Sequence, residues 1–119
     1  MTTTPPRPPY TPIVRAGDWL VGSGQIGLKD GVMVTGAVEG ELRQAFANMR
    51  ALLAGEGAEL TDVVKTTVFL LHMRDYALMN QVYAEEFGDH RPARSAVAVS
   101  ELPFGAMVEI EALAFVGGR

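Results

Sequence analysis

Apolar residues recur along this chain with two periods, and each period predicts a different kind of element. Across residues 38–56 the spacing is helical: Val38, Leu42, Phe46, Met49 and Leu53 share one stripe, while Glu39, Arg43, Gln44 and Arg50 lie off it. Gly55 and Gly57 supply the stop. Asp75 is placed to cap a second helix that runs through Phe87. Tyr76, Met79, Val82, Tyr83 and Phe87 form its apolar side, and Gly88 follows its end.

Elsewhere the pattern is that of strands. Residues 63–71 form the strongest one, introduced by Thr61 and Asp62. It is apolar on both faces, with Val64, Val68 and Leu70 on one and Val63, Phe69 and Leu71 on the other. Such a strand is expected to be central and covered on both sides. Residues 94–99 and 107–115 read as two further strands, separated by a break that holds Pro103 and Gly105. In the last strand Val108, Ile110, Ala112 and Ala114 alternate with Met107, Glu109, Glu111, Leu113 and Phe115. The second set mixes two carboxylates with large apolar residues, so that face is expected to lie under another subunit rather than in water. Arg94 opens the strand expected to partner this one, which would let Arg94 and Glu109 meet in the covered region. Residues 13–14 and 19–21 read as short strands around the turn Ala16-Gly17-Asp18, and residues 32–34 as a third after the turn Lys29-Asp30-Gly31.

The resulting order, β-β(-β)-α-β-α-β-β, predicts an α+β domain: a mixed sheet with two helices packed on one face and an apolar second face left for association. Residues 1–9 are expected to be a flexible Pro-rich tail, since four of the five residues 5–9 are proline. Residues 10–119 then form a single domain. Tyr10 reads as an anchor that packs the tail down.

Composition narrows the chemistry. A chain of 119 residues suffices for one core. The net charge of −4 and the lack of a basic patch argue against a nucleic-acid partner. Without cysteine there is no disulfide, thiolate nucleophile or thiolate metal site. His72 and His90 lack ligand spacing, so no metal is expected. No apolar run approaches the ~18 residues of a membrane span, and the N-terminal stretch lacks the apolar segment of a secretory signal. The expectation is a cytoplasmic protein with no membrane partner. Gly22, Gly24 and Gly27 fall within six residues, but no GK[ST] follows and no helix opens directly, so this is not a phosphate loop. A bulged strand fits better, and leaves room for a ligand beside Ser23. The best candidates for chemistry are Arg94 and Glu109, with a boundary-holding ion pair as the alternative.

Several segments taken together resemble one family. They are Pro9-Tyr10, Ser23-Gly24-Gln25-Ile26, the run from Asp62 to Leu70, Asn80-Gln81-Val82-Tyr83, Pro92-Ala93-Arg94-Ser95 and Val108-Glu109-Ile110-Glu111-Ala112. In this order and spacing the chain resembles the Rid (YjgF) family, over nearly its whole length. The resemblance implies a chorismate-mutase-like fold of the bacillus type, a homotrimer, and ligand clefts between subunits. It implies cofactor-free hydrolysis of reactive 2-imino acids to 2-keto acids and ammonia. By matching positions, Arg94 would hold the substrate carboxylate, Glu109 would position water, and Tyr10 and Ser23 would line the cleft. Gly24 and Ala96 would offer backbone contacts. The sequence departs from the family pattern at Gly27, where many members have Pro, and at Ala96, where many have Cys. A non-catalytic trimer that binds small carboxylates is the alternative within the same family.

Overall fold

The computed structural model describes residues 7–118, so the first six residues of the expected tail and Arg119 lie outside the described residues. Arg7, Pro8 and Pro9 are exposed and carry no regular structure. The chain then forms β1 (Ile13–Ala16), β2 (Trp19–Gly22), β3 (Leu28–Lys29), β4 (Val32–Met33), α1 (Ala37–Gly55), β5 (Val63–Leu70), α2 (Tyr76–Phe87), β6 (Ala93–Ala98) and β7 (Val108–Phe115). Five strands make one mixed sheet in the order β1-β2-β7-β5-β6, while β3 and β4 form a separate ribbon. Only β5 and β6 run parallel; α2 is the crossover that a parallel pair requires. No helix among the described residues is long and apolar enough to cross a membrane.

Both helices pack on one face of the sheet. Leu42, Phe46, Met49 and Leu53 of α1 and Met79, Val82, Tyr83 and Phe87 of α2 join Leu20, Val68, Leu70, Val108, Ile110 and Ala114 in one buried cluster. Phe46, Tyr83 and Phe87 meet at their edges at its centre, with ring centroids 4.9–5.9 Å apart. The opposite face has no cover among the described residues. Val14, Trp19, Val21, Val97 and Phe115 are each 40–47% exposed there.

Three expectations from the residue pattern need correction. First, β5 is not evenly alternating. Its register against β7 shifts between Val63 and Lys65, so one extra residue is inserted. Such a bulge exchanges the two faces. Val63 thus joins Thr66, Val68 and Leu70 in the core, while Val64 is 41% exposed. Second, the Arg94 strand does not partner the Glu109 strand. β5 lies between β6 and β7 and pairs with both. The connection at residues 99–107 turns across the end of β5, held by Val99 N–H to Leu70 C=O and Leu71 N–H to Met107 C=O. Third, Asp75 stands at the start of α2 but makes no side-chain cap. A short 3₁₀ turn, Met73–Asp75, precedes the helix instead.

Candidate functional site

Glu109 lies on the uncovered face of the sheet, opposite Phe69 in the β5–β7 register. It is half-buried, and its carboxyl makes no hydrogen bond or ion pair among the described residues. Burial disfavours its charged form, and Glu111 on the same face adds repulsion. Both raise the carboxyl above its ordinary value of 4.5. A carboxylate in this condition is suited to accept a proton from water.

The segment between β2 and β3 runs along the edge of β7 beside Glu109. Gln25 exchanges two backbone hydrogen bonds with Ile110, of 2.8 and 3.0 Å, and so fixes that segment against β7. Gly24 then sits against the carboxyl group: a Cβ there would stand 2.7 Å from Glu109 Cδ and closer still to Oε2. Only glycine leaves this space. Gly27 has a different reason for lacking a side chain, because a Cβ there would come within 2.7 Å of the Cα of Glu41 on α1. Glu41 is itself buried, and its Oε1 accepts the Met107 N–H at 2.8 Å, just before β7.

A cavity of about 470 Å³ opens beside Glu109, with Tyr10, Gly24, Ile26, Asn48 and Phe104 among its walls. Tyr10 is 59% exposed and borders the cavity rather than anchoring the tail in a core. Ser23 stands just behind. Its Oγ donates to the Thr11 carbonyl at 2.7 Å and its N–H to the Pro12 carbonyl at 2.8 Å, tying the preceding strand entry in place. Asn48, Gln25 and Phe104 were not singled out as site residues from the sequence. The one sequence feature that could have marked Asn48 is its place as an amide off the apolar stripe of α1. Its Nδ2 donates to the carbonyls of Ile26 and Leu28, at 3.2 and 3.0 Å, and so braces the cavity wall.

Arg94 lies elsewhere. It pairs with Thr66 on the helix-covered side of the sheet, and its guanidinium rests against α2. Nη2 donates to the Tyr76 hydroxyl at 3.0 Å, Nη1 approaches Met79 Sδ at 3.6 Å, and Cζ stands 4.8 Å from the Tyr83 ring centre. Tyr83 is held in turn by a 2.6 Å hydrogen bond with Thr66. Burial raises its phenol above the ordinary value. Every one of these contacts with Arg94 is to a neutral group, so the guanidinium charge is uncompensated among the described residues. Ala96 is the next residue on the same side of β6, partly buried against the core.

The chain therefore brings Tyr10, Gly24 and Glu109 together and leaves Arg94 and Ala96 on the other side of β5. Two strand spacings of ~4.8 Å and three residues of ~3.3 Å put the Cα atoms of Arg94 and Glu109 roughly 14 Å apart. Their side chains also point to opposite faces. The two do not form an ion pair within one chain.

Comparison with known proteins shows the family. Residues 1–116 match the family described as endoribonuclease L-PSP. A RutC family protein of Pyrococcus horikoshii is 45% identical, covering 96% of this chain and 94% of its own. A protein of Dermatophagoides farinae named 2-iminobutanoate/2-iminopropanoate deaminase is 41% identical, covering 97% and 93%. A solved structure from the conserved Rid protein family of Yersinia pestis superposes with a TM-score of 0.88 at 38% identity, covering 91% of this chain and 88% of its own. On sequence, fold and length alike, the chain belongs to the endoribonuclease L-PSP, or Rid, family.

Proposed function

We propose that the protein hydrolyses reactive 2-imino acids to 2-keto acids and ammonia, in clefts formed between subunits of a homotrimer of chorismate-mutase-like domains. The observation that carries this reading is a pair of unpartnered charges. Glu109 is half-buried with a raised pKa, and Arg94 holds an uncompensated guanidinium. Separated by β5, they do not neutralise one another within a chain, and one small ligand does not span them. A neighbouring subunit that brings its β6 edge to the Glu109 cavity would supply both ends of the site. The uncovered apolar face supports such an association.

The chemistry fits these residue types. Arg94 clamps the substrate carboxylate with its planar fork, oriented by Tyr76 and Tyr83. The imine carbon is already electrophilic, so a positioned water suffices as nucleophile. Glu109 takes a proton from that water as its oxygen bonds to C2, and passes it to the nitrogen that receives the C=N electron pair, giving a carbinolamine. Glu109 then carries the hydroxyl proton to the nitrogen, the C–N bond breaks, and ammonia leaves as the keto group forms. General-base help of this kind contributes roughly 10²–10⁴-fold, and the orientation imposed by Arg94 adds to it. Backbone groups at Gly24 and Ala96 and the walls at Tyr10 and Ser23 complete the proposed cleft.

The test is hydrolysis of 2-iminopropanoate and 2-iminobutanoate generated in situ. Wild type should accelerate the reaction; Arg94→Ala and Glu109→Gln should each remove most of the acceleration. A wild-type protein that binds pyruvate or 2-oxobutanoate but leaves imine decay unchanged would establish the carboxylate-binding alternative instead.

A further inference from the structure

One wall of the Glu109 cavity serves no purpose that the core or the hydrolytic chemistry explains. Phe104 sits in the turn Pro103–Gly105 between β6 and β7, and 73% of it is exposed. Its backbone is left-handed, at φ 59° and ψ 21°, and Gly105 follows at φ 68°. A bulky residue rarely adopts that conformation, and such strain clusters at ligand sites. Here it places an aromatic side chain on the rim of the cavity, facing walls that include Ile26, Leu28 and Tyr10.

Two amides that line this space are already engaged. Asn48 donates to the carbonyls of Ile26 and Leu28, and Gln25 Nε2 donates to the Ser23 carbonyl at 3.3 Å. The Glu109 carboxyl and the Tyr10 hydroxyl have no hydrogen-bond partner among the described residues, and no cationic side chain among them lines the cavity. A ligand would therefore put its reacting polar end at Glu109 and an uncharged, apolar remainder against the other walls. An anionic side chain would find no counter-ion among the described residues of these walls. The volume of about 470 Å³ also exceeds what a methyl or ethyl group fills.

We propose that Phe104 is the specificity-determining wall of this cavity, selecting 2-imino acids with branched or aromatic side chains over those bearing a methyl group. This rests on the deaminase reading of the Glu109 site and deepens it. The experiment compares kcat/KM for imines generated in situ from leucine and from alanine, in wild type, Phe104→Leu, Phe104→Ala and Phe104→Gly. Wild type should favour the leucine-derived imine. Phe104→Ala and Phe104→Gly should lower that ratio by about tenfold, the scale on which apolar contacts discriminate, and Phe104→Leu should retain most of it. Phe104→Gly should also melt above Phe104→Ala, because glycine relieves the left-handed backbone. Calorimetric binding of 4-methyl-2-oxopentanoate and pyruvate separates the two claims. A Phe104-dependent binding ratio in a protein that hydrolyses no imine sinks the deaminase reading and keeps the wall. Imine hydrolysis with an unchanged ratio in every variant sinks the wall and keeps the deaminase. Light scattering covers the remaining case: variants that alter subunit association while keeping the ratio would make Phe104 a subunit contact and overturn the proposal.

Discussion

The Glu109 carboxyl carries the most information of any single group, because its environment makes a prediction about stability as well as activity. Burial and Glu111 raise its pKa in the folded chain above the ordinary 4.5. The unfolded chain therefore ionises more readily, and the folded state is penalised as pH rises through the raised value. Glu109→Gln carries no such penalty. Its melting temperature should exceed that of wild type at pH 7, and the gap should close below pH ~4.5, where both folded and unfolded wild type are protonated. A gap that does not vary with pH would show that the folded chain solvates this carboxylate as well as water does. Gly24 offers a second test, since any side chain there meets Glu109. Gly24→Ala should displace the carboxylate and lower imine hydrolysis by about 10²-fold, the cost of a misplacement near 1 Å; full activity would mean that the carboxylate position is unimportant. At Arg94, a lysine keeps the charge and loses the fork. Arg94→Lys should be nearly as inactive as Arg94→Ala, while an active lysine variant would reduce Arg94 to a point charge.

Among the elements, the helices were the most legible. The stripe Val38, Leu42, Phe46, Met49 and Leu53 is buried as its spacing requires, and α1 ends within a residue of the expected stop. The alternation of β7 is equally faithful, with Val108, Ile110 and Ala114 buried and Glu111 and Phe115 exposed. Both patterns are set by local geometry, which sequence spacing encodes directly. The bulge at Val64 has no such local signature, because an extra residue in an apolar strand leaves the composition unchanged. The spacing places Tyr76 on the apolar side of α2, yet it is 40% exposed and its hydroxyl serves Arg94. Glu41 was equally hidden in the sequence. It lies on a buried stretch of α1 and accepts the Met107 N–H, linking the helix to the start of the strand that carries Glu109. Glu41→Ala should destabilise the fold by about 1–3 kcal/mol, the cost of stranding a buried donor. Chemical denaturation measures it, and a variant as stable as wild type would mean that water replaces the carboxylate.

At the scale of the whole molecule, the expectation of an uncovered second face follows from alternation alone. The structure leaves Val14, Trp19, Val21, Val97 and Phe115 open there. Such a face predicts association, and a homotrimer is the proposed form. Light scattering at micromolar concentration should return about three times the 12.8 kDa chain mass; a monomer would remove the intersubunit site along with it. The sequence by itself determined the α+β class, the order of the main elements, the faces of α1 and β7, and Arg94 and Glu109 as the candidate residues. It did so because helical and strand periods, turn residues and chemically distinctive side chains are local properties. Only the tertiary structure decided that β5 separates β6 from β7, that Arg94 faces α2 while Glu109 faces outward, and that Phe104 joins Gly24 and Tyr10 at the cavity beside the carboxylate. Those facts depend on strand order, on one inserted residue in β5 and on a left-handed turn at Phe104. Each is fixed by how distant segments pack, and residue spacing carries no trace of it.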